Sequence, residues 1–346
     1  MELVIIVPSL DLTGPVKGAF AICNLLKSHM NVTLISLKGK KNVSSLFVDQ
    51  INIISLWDKN FINKILFINK YCARKKNVKV LSICLSADIT NILLNSKLKK
   101  FSSIRGNFFM NYREYPIAGN LIALFHYLIQ KLFDYSIVMN RKMYGQVERF
   151  SRKKPILIYN FIDEGHLDKF FKPKIIKSQR ATFIFIGRLI ERKGIMELLE
   201  AFSKVLSVKN AYLHILGDGP LSAKIKNFIS KMGIESNISM HGFIDSPYEI
   251  LSSADVFVLP SYSEGTPRSC LEALYLGIPS ILRDVDGNRE LKCGENISLF
   301  NDDSKLPELM LQKASQSRSR EFRKNLLPNK FSRKNNLALY LKFFKN

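Results

Sequence analysis

Cysteine is scarce in this sequence, and no two cysteines stand close together. Five of the 346 residues are cysteines, namely Cys23, Cys72, Cys84, Cys270 and Cys293. Structural zinc sites and disulfide frameworks both require closely spaced or paired cysteines. Neither is indicated here, and we expect the thiols to be reduced and buried.

Acidic residues are also few. Asp and Glu number 29 against 52 Lys and Arg, which gives a formal net charge of +23 and a pI of about 9.8. A surplus of this size favours an anionic partner, whether nucleic acid, anionic lipid or a phosphorylated substrate. The basic runs are spread over positions 38–41, 74–76, 97–100 and 152–154, and no nucleic-acid-binding motif accompanies them. We therefore expect no nucleic acid partner, while an anionic membrane surface and a merely solvated basic surface both stay open.

Long hydrophobic runs are missing as well. The first residues, MELVIIVPSL, resemble a buried strand more than a secretory signal. The most apolar segment, residues 117–133, is interrupted by four polar side chains: Asn120, His126, Gln130 and Lys131. It is too short and too polar to span a bilayer, and it predicts a helix that is either half-buried in a core or lies at a membrane surface. We expect a cytoplasmic protein, peripheral at the inner face of the cell membrane.

The sequence does contain a repeated α/β pattern. A strand, a glycine-containing loop and a helix follow one another from residues 3–10 onwards, and the same order restarts at residues 181–189. This pattern is typical of doubly wound sheets of parallel strands. Because 346 residues exceed the usual size of one core, we predict two Rossmann-like domains, over residues 1–165 and 166–325, and a helical tail over 326–346 that crosses back to the first.

The stretch SEGTPRSCLEALYLGIPSI in the second half carries start and stop signals of a helix. Thr266 and Pro267 favour a helix start, and Gly277 favours its end about three turns later. The NH groups and the positive dipole end at such a start attract an anion such as phosphate. Glu264 and Glu272 flank that position, where their carboxylates would accept hydrogen bonds from the hydroxyl groups of a sugar and a ribose. A capped surface helix with a solvated glutamate is the alternative.

Four loops of the second half follow predicted strands, and the carboxyl ends of parallel strands line the ligand crevice of an open sheet. These loops contain Gly187 with Arg188 and Lys193, Gly217 with Gly219, His241 with Gly242, and Glu264 with Thr266. Arg188 and Lys193 place two positive charges on one turn, which suits a diphosphate. Taken singly, each loop is also compatible with an ordinary structural turn.

Taken together, the segments GRLIERKG, ILGDGP, HGFID, ADVFVLPSYSEGTPRSCLEALYLGIPSI and DVDGNRE occur in an order that resembles the family 4 retaining glycosyltransferases. The resemblance implies GT-B architecture, in which two Rossmann-like doubly wound domains face each other across a cleft. It is specific over residues 181–300, and in the first half only the loop at Gly14 and the segments SIRGN and YNFID are similar. In that family the second domain binds a nucleotide-diphospho-sugar and the first binds the acceptor.

The resemblance also implies roles for single residues. Arg188 and Lys193 would hold the diphosphate. Glu264 would bind hydroxyl groups of the transferred sugar, Glu272 would bind the ribose, and residues 241–243 would lie beside the base. The implied catalytic set is Arg188, Lys193 and Glu264. The implied donor-binding positions are Gly14, Gly187, Gly217, Gly219, His241, Gly242, Phe243, Gly265, Thr266, Pro267 and Glu272.

Acceptor contacts are expected in the first half. Arg105 and Asn107 follow a predicted strand and are candidates, as is His126, for which a place in the core is the alternative. Where the family often has adjacent glycines, this chain has Gly14 followed by Pro15, and proline has no NH to offer a phosphate. Whether Gly14 contacts the donor is left open.

No metal ion and no cofactor are expected. No cluster of aspartates accompanies the candidate residues, and the resemblance implies metal-independent transfer with retention of anomeric configuration. The nucleotide-diphospho-sugar is a cosubstrate. Negative charge that builds on the leaving diphosphate would be stabilised by Arg188, Lys193 and the helix start at Pro267.

The sequence therefore predicts a hexosyltransferase-type enzyme that moves a sugar from a nucleotide sugar to a lipid-linked or oligosaccharide acceptor. The expected setting is bacterial surface polysaccharide, such as lipopolysaccharide or capsule. Two alternatives belong to other classes. A sugar-nucleotide 2-epimerase shares the GT-B fold and would change the donor with no acceptor present. A noncatalytic binder of nucleotide sugar or of anionic membrane would lack turnover, and the intact cations and carboxylates of the predicted site argue against it.

Overall fold

The chain folds into two compact units in the computed structural model, which describes residues 1–11, 13–39, 51–112, 118–173, 180–285, 287–319 and 321–345. The first unit comprises Met1–Phe161 and Arg333–Asn346, and the second comprises Ile162–Ser332. The boundaries expected from the sequence, after residues 165 and 325, lie a few residues from these points. Residues 40, 41, 117 and 286, which belong to segments singled out above, lie outside the described residues.

The first unit is built on a parallel sheet of seven strands. The strands are β1 (Glu2–Val7), β2 (Asn31–Ser36), β3 (Asn52–Ser55), β4 (Val78–Ile83), β5 (Lys99–Ser103), β6 (Tyr135–Val138) and β7 (Ile156–Leu157). Their order across the sheet is β3-β2-β1-β4-β5-β6-β7. Every residue of β1 is buried, because helices cover both faces of a parallel sheet and its central strands are mostly apolar.

The helices of the first unit follow these strands. They are α1 (Gly14–Leu26), α2 (Phe61–Ala73), α3 (Leu85–Ile92), α4 (Phe108–Asn111), α5 (Ala118–Leu128) and α6 (Arg141–Glu148). α1 begins with Gly14 and Pro15, and proline suits a first turn in which the missing NH would have no partner. The most apolar segment of the sequence forms α5 and a 3-10 turn over Ile129–Leu132.

The second unit repeats the pattern with a six-stranded parallel sheet. Its strands are β8 (Ala181–Ile186), β9 (Ala211–Leu216), β10 (Ile238–Gly242), β11 (Val256–Leu259), β12 (Ser280–Arg283) and β13 (Ile297–Phe300), in the order β10-β9-β8-β11-β12-β13. Its helices are α7 (Glu164–Leu167), α8 (Ile195–Leu206), α9 (Ser222–Met232), α10 (Tyr248–Ser253), α11 (Arg268–Tyr275), α12 (Asn288–Leu291) and α13 (Leu306–Ser319). The last helix of the chain, α14 (Arg333–Phe344), belongs to the first unit.

Both sheets reverse their strand order beside the first strand. The reversal lies between β1 and β4 in the first unit and between β8 and β11 in the second. Ligands of open α/β sheets bind outside the carboxyl ends of the strands at this point. The predicted α/β fold of two Rossmann-like doubly wound domains is confirmed, and it places the loops after β8 and β11 next to each other.

α14 completes the core of the first unit. Its Tyr340 and Phe344 are buried among residues of β1, α1 and β5, and the Phe344 ring centroid lies 4.9 Å from that of Phe101. Nζ of Lys79 donates to the carbonyl oxygens of Phe343 and Phe344, at 3.3 and 3.1 Å. A buried lysine thereby satisfies carbonyl groups at a helix end, where they have no partner within the helix. Burial lowers the pKa of Lys79.

Candidate functional site

The loops at the carboxyl edge of the second sheet pack directly against one another. A Cβ atom on Gly217 would lie 1.9 Å from the carbonyl oxygen of Gly187, and one on Gly194 would lie 2.3 Å from the carbonyl oxygen of Pro260. Gly217 and Gly194 also have positive φ angles, +137° and +69°. Only glycine permits such approaches in this backbone conformation. The loops after β8, β9 and β11 therefore form one continuous backbone surface.

Three of the predicted donor-binding glycines use their NH groups within the protein. Gly217 donates to the carbonyl oxygen of Gly242 at 2.7 Å, Gly219 donates to the carboxylate of Asp218 at 2.7 Å, and Gly187 donates within the sheet. Their observed contribution is to shape the edge of the sheet by close packing. A contact between them and the donor stays a prediction.

The helix expected near Thr266 is α11, with corrections at its start and in its length. It begins at Arg268, and Pro267 rather than Thr266 occupies the N-cap. Its 8 residues make slightly more than two turns rather than three. Gly277, with φ +77°, ends the helix as predicted, and the NH of Ile278 bonds back into the last turn at 2.8 Å.

A buried ion pair joins the loop after β8 to the segment before α11. Nζ of Lys193 lies 2.5 Å from Oε1 of Glu264, and the two side chains are only 16% and 8% exposed. The carbonyl oxygen of Glu264 accepts the NH of Gly287 at 3.2 Å, which fixes the backbone behind the carboxylate. Because the pair is nearly dry, each charge depends on the other to offset its loss of hydration. The predicted sugar-binding carboxylate thus neutralises one of the two cations predicted to hold the diphosphate.

Arg188 and Arg192 lie on the same loop as Lys193 and have different surroundings. Arg188 is exposed, so its charge is accessible to an anionic ligand. Arg192 donates from Nη1 to the carbonyl oxygen of Ser263 at 2.7 Å, and its own carbonyl oxygen accepts the NH of Tyr262 at 2.9 Å. Arg192 therefore holds the segment that carries Glu264. The sequence offered no signal for it, because the contact joins residues 71 positions apart.

Arg283 supports the same segment from β12. Its Nε donates to the carbonyl oxygen of Pro260 at 3.0 Å, and its Nη2 lies 2.5 Å from Oδ1 of Asp303. The guanidinium carbon lies 4.1 Å from the ring centroid of Tyr262, which is close enough for cation–π attraction. This buried arginine is a second supporting residue that the sequence motifs did not reveal.

Glu272 lies on the buried side of α11. The hydroxyl of Tyr248 in α10 donates to Oε1 of Glu272 at 3.4 Å. The Tyr248 ring packs against His166 and Phe170, with centroids 5.5 and 5.3 Å away. Burial and the nearby Glu272 carboxylate raise the pKa of Tyr248 above its ordinary value, so the hydroxyl stays a donor. Tyr248 thereby restrains the carboxylate that was predicted to bind the ribose.

His241 forms a hydrogen bond with His214 on the neighbouring strand. Nδ1 of His214 and Nε2 of His241 lie 2.9 Å apart, so one ring nitrogen donates and the other accepts. Burial, with the neighbouring His241, lowers the pKa of His214 to about 4, and burial also lowers the pKa of His241. Both rings are therefore neutral at neutral pH. The chain continues through Gly242, with φ +67°, to the exposed ring of Phe243.

Arg105 and Asn107 follow β5 in the first unit, as predicted. Nη1 of Arg105 approaches Sδ of Met139 at 3.5 Å, whereas its Nε and Nη2 are buried without a hydrogen-bond partner in the described chain. Oδ1 of Asn107 accepts the NH of Phe109 at 3.1 Å at the start of α4. Buried donors without partners are costly, which favours Arg105 over Asn107 as a residue that meets a ligand.

His126 lies inside the first unit in a network of hydrogen bonds. Nε2 of His126 donates to Oδ2 of Asp88 at 2.8 Å, because a carboxylate can only accept, and Nδ1 lies 3.0 Å from the hydroxyl oxygen of Tyr112. Asp88 also accepts the hydroxyl groups of Ser82 and Ser102, at 2.6 and 2.9 Å. This environment matches the core alternative for His126. A role toward an acceptor stays a prediction.

The candidate residues divide between the units. The second unit contains the residues predicted to bind the diphosphate, the sugar, the ribose and the base, whereas Gly14, Arg105, Asn107 and His126 belong to the first. Among the residues that the structure describes, no three His, Cys, Asp or Glu side chains are grouped so as to hold a metal ion.

Comparison with known proteins finds a family model that resembles this part of the chain. Residues 168–305 match the family model described as glycosyl transferases group 1. The predicted family resemblance is confirmed. The matched stretch includes Arg188, Lys193, the Lys193–Glu264 pair and the whole of α11.

Relatives of known sequence are also glycosyltransferases by name. An uncharacterised glycosyltransferase of Methanocaldococcus jannaschii is 31% identical over 234 residues, which are 64% of this chain and 57% of that protein. A UDP-Gal:α-D-GlcNAc-diphosphoundecaprenol α-1,3-galactosyltransferase of Escherichia coli is 33% identical over 133 residues, 37% of this chain and 33% of that protein. The chain thus spans little more than half the length of the first relative and a third of the second.

A solved structure shares the fold of the chain. Alr3699/HepE of Anabaena, crystallised with UDP and glucose, has a TM-score of 0.80 at 12% identity and covers 100% of this chain and 99% of its own. At this identity the likeness establishes the fold alone.

Proposed function

We propose that this chain is a glycosyltransferase that moves a hexose from a nucleotide-diphospho-sugar to a glycan acceptor in the biosynthesis of bacterial surface polysaccharide. The observation that supports it most is the Lys193–Glu264 pair, with exposed Arg188 on the same loop, at the switch point of a sheet that matches the group 1 transferases. The acceptor is lipid-linked, in line with the diphosphoundecaprenol carrier named for the Escherichia coli relative.

The transfer is a problem of charge. Cleavage between sugar and diphosphate places negative charge on the leaving diphosphate and positive character on the sugar ring. Arg188, Lys193 and the amino end of α11 stabilise the diphosphate. As the diphosphate approaches Lys193 it replaces Glu264 as counter-ion, which leaves the carboxylate to accept hydrogen bonds from the sugar hydroxyls.

The sugar is transferred with retention of anomeric configuration and without a metal ion or cofactor. In a front-face route the acceptor oxygen attacks on the side from which the diphosphate leaves. The bond between acceptor oxygen and sugar carbon forms as the sugar–phosphate bond breaks, and the leaving phosphate oxygen takes the acceptor proton. No protein base is then required.

The ribose, the base and the acceptor are bound by residues outside the Lys193–Glu264 pair. Glu272, held by Tyr248, binds the ribose, and residues 241–243 lie beside the base. In the first unit the unpartnered nitrogens of Arg105 donate to the acceptor. The enzyme works in the cytoplasm at the inner face of the cell membrane, where a lipid-linked acceptor is found.

The deciding experiment measures thermal unfolding of the purified protein against nucleotide diphosphates and nucleotide sugars. A ligand that binds only the folded state raises the unfolding temperature with its concentration. We expect a shift with one base, reduced in Glu272→Gln. If none of the nucleotides shifts the wild type, the donor site is wrong.

A second assay separates transfer from its alternatives. The donor is incubated with and without a diphosphoundecaprenol-linked acceptor, and products are followed by NMR, which reports the anomeric configuration. Transfer that needs the acceptor and survives a chelator supports the proposal. Conversion of the donor alone would indicate a 2-epimerase, and nucleotide binding without turnover would indicate a noncatalytic binder.

A further inference from the structure

α5 in the first unit has its apolar side turned outward. Leu121, Leu124, Phe125 and Leu128 recur at helical spacing on one face, and Leu132 in the 3-10 turn extends the row. All five side chains are between 43% and 66% exposed. We name these five residues the outer row. A helix on the surface of a domain ordinarily buries such a face, and contiguous apolar patches on a surface mark interaction sites.

Polar bonds hold the helix in this orientation. The opposite face carries Gly119, Ala123 and His126, all buried. His126 is bonded to Asp88 and Tyr112. A Cβ atom on Gly119 would lie 2.0 Å from the carbonyl oxygen of Tyr112, so the helix is seated closely on this side. Rolling α5 to bury its leucines would break a buried network and expose a buried carboxylate, which opposes the change.

Basic side chains border one end of the outer row. Nζ of Lys131, beside Leu132, lies 5.2 Å from the ring centroid of Phe150, and that ring lies 4.6 Å from the ring of Tyr127 in α5. The segment after α6 is thereby held against the end of α5. Its exposed cations are Arg149, Arg152, Lys153 and Lys154. Residues 118–132 contain no acidic residue.

Two occupants compete for an apolar face of this kind, a second copy of the chain and a lipid surface. A formal charge of +23 opposes close contact between two copies. The same charge attracts anionic lipid, in which apolar side chains enter the interface while lysine and arginine meet the headgroups. None of the described helices is long and apolar enough to cross a membrane. Charge complementarity therefore selects a lipid surface that α5 lies upon.

We infer that the outer row and the cations after α6 form a docking surface for an anionic bilayer, with α5 parallel to the membrane plane and its leucines in the interface. The purpose of such docking rests on the proposed use of a lipid-linked acceptor. The contact itself needs neither donor nor acceptor. Membrane binding is therefore measured without donor or acceptor. The docking surface and the proposed function can then be refuted independently of each other.

The test is flotation of the full chain with vesicles of phosphatidylcholine alone and of phosphatidylcholine mixed with phosphatidylglycerol. We expect the wild type to bind the mixed vesicles and not the neutral ones. The variant Leu121→Asn/Leu124→Asn/Leu128→Asn should bind at least about tenfold more weakly, since each exposed leucine gains free energy on leaving water for an apolar phase. Lys131→Glu should weaken binding through charge alone.

A matched control uses another helix of the same unit that exposes apolar side chains, α2. Ile62 and Leu66 of α2 are 68% and 59% exposed, and Ile62→Asn/Leu66→Asn removes apolar surface away from α5. This variant should bind vesicles as the wild type does. Unfolding temperatures of all variants should match, because every changed side chain is exposed.

Three results would overturn the docking surface. The first is that the wild type does not bind vesicles. The second is that the leucine variant of α5 binds them as well as the wild type does, and the third is that the α5 and α2 variants lose vesicle binding equally. Light scattering completes the test: if the wild type is a dimer that the α5 variant converts to a monomer while vesicle binding is unchanged, the row is a contact between copies. Nucleotides should stabilise the α5 variant and the wild type equally. If they stabilise neither protein, the donor site is refuted and the docking surface is not.

Discussion

Lys193 and Glu264 form a mostly buried ion pair, with 2.5 Å between Nζ and Oε1, although they lie 71 positions apart in sequence. Each was predicted to bind a different part of one ligand, and in the structure the two side chains bind each other. In the proposed function, binding of a diphosphate would therefore exchange one counter-ion of Lys193 for another rather than order a loose side chain. That exchange would link the phosphate contact to the sugar contact.

Breaking this pair should cost more stability than removing it whole. Lys193→Ala leaves Glu264 as a mostly buried charge without a partner, which costs about 3–5 kcal/mol. The double variant Lys193→Ala/Glu264→Gln removes both charges and should be more stable than the single Lys193→Ala. Urea unfolding of wild type, both single variants and the double gives the coupling energy. Additive losses would show that the pair is not coupled.

Tyr248→Phe should weaken donor binding without abolishing it. The variant removes the hydrogen bond that restrains Glu272, so donor affinity should fall by about fivefold, which corresponds to about 1 kcal/mol. Glu272→Gln should have the larger effect. Calorimetric titration with the nucleotide that stabilises the wild type measures both. Tyr127→Phe, which loses a hydroxyl bond to Gln146 in the first unit, is the control, and an equal loss there would deny Tyr248 its positioning role.

Gly194→Ala and Gly233→Ala should differ sharply in their cost. Both glycines have positive φ angles, +69° and +64°, but a Cβ atom on Gly194 meets the Pro260 carbonyl oxygen at 2.3 Å, whereas one on Gly233 meets nothing within 4 Å. Backbone strain alone costs about 1–2 kcal/mol in each. Gly194→Ala should add a clash that displaces the loops after β8 and β11 and reduces donor binding. Unfolding and nucleotide titrations of both variants check this, and equal behaviour would contradict the close packing of the loops.

Acid should destabilise the second unit through the histidine pair. The pKa of His214 is about 4 in the folded chain against an ordinary 6.5. Between these pH values His214 is protonated in the unfolded chain and neutral in the folded chain. The free energy of unfolding therefore falls as the pH drops from about 6.5 towards about 4. The groups that face His214 are His241, Tyr212 and, through Tyr212, Ser239.

The variant His214→Gln tests this dependence. Its urea midpoint should fall less than that of the wild type between about pH 7 and about pH 5, because glutamine has no imidazole to protonate in the unfolded chain. Carboxylates elsewhere titrate alike in both proteins, so the difference isolates the pair. Parallel curves would show that His214 is freely protonated in the folded chain.

Local signals in the sequence predicted where α11, a helix of the candidate site, ends. Gly277 stops α11 where the sequence predicts, because a left-handed residue at a helix end needs no information from elsewhere. The start of α11 lies one residue later than the sequence signal indicates, with Pro267 as the N-cap and Arg268 as the first helical residue. No sequence motif pointed to the residues that support the site, which are Arg192, Arg283 and Tyr248. Their contacts depend on which strands become neighbours.

α5 shows a different limit of sequence reasoning. Its periodicity indicates a helix with one apolar face, and hydrophobicity alone would turn that face inward. The structure turns it outward, because His126 on the other face finds Asp88, 38 residues earlier in the chain, and forms a buried hydrogen bond. Orientation was therefore decided by one polar partner on α3, which no reading of residues 117–133 by themselves could supply.

The place of α14 has a consequence for synthesis on the ribosome. Tyr340 and Phe344 fill the core beside β1, and Lys79 bonds to the final carbonyl groups of that helix. These residues are translated after the whole of Ile162–Ser332. The core of the first unit therefore stays incomplete while the second unit is translated. The second unit can thus fold during translation, and the first reaches its final state only after α14 has been made.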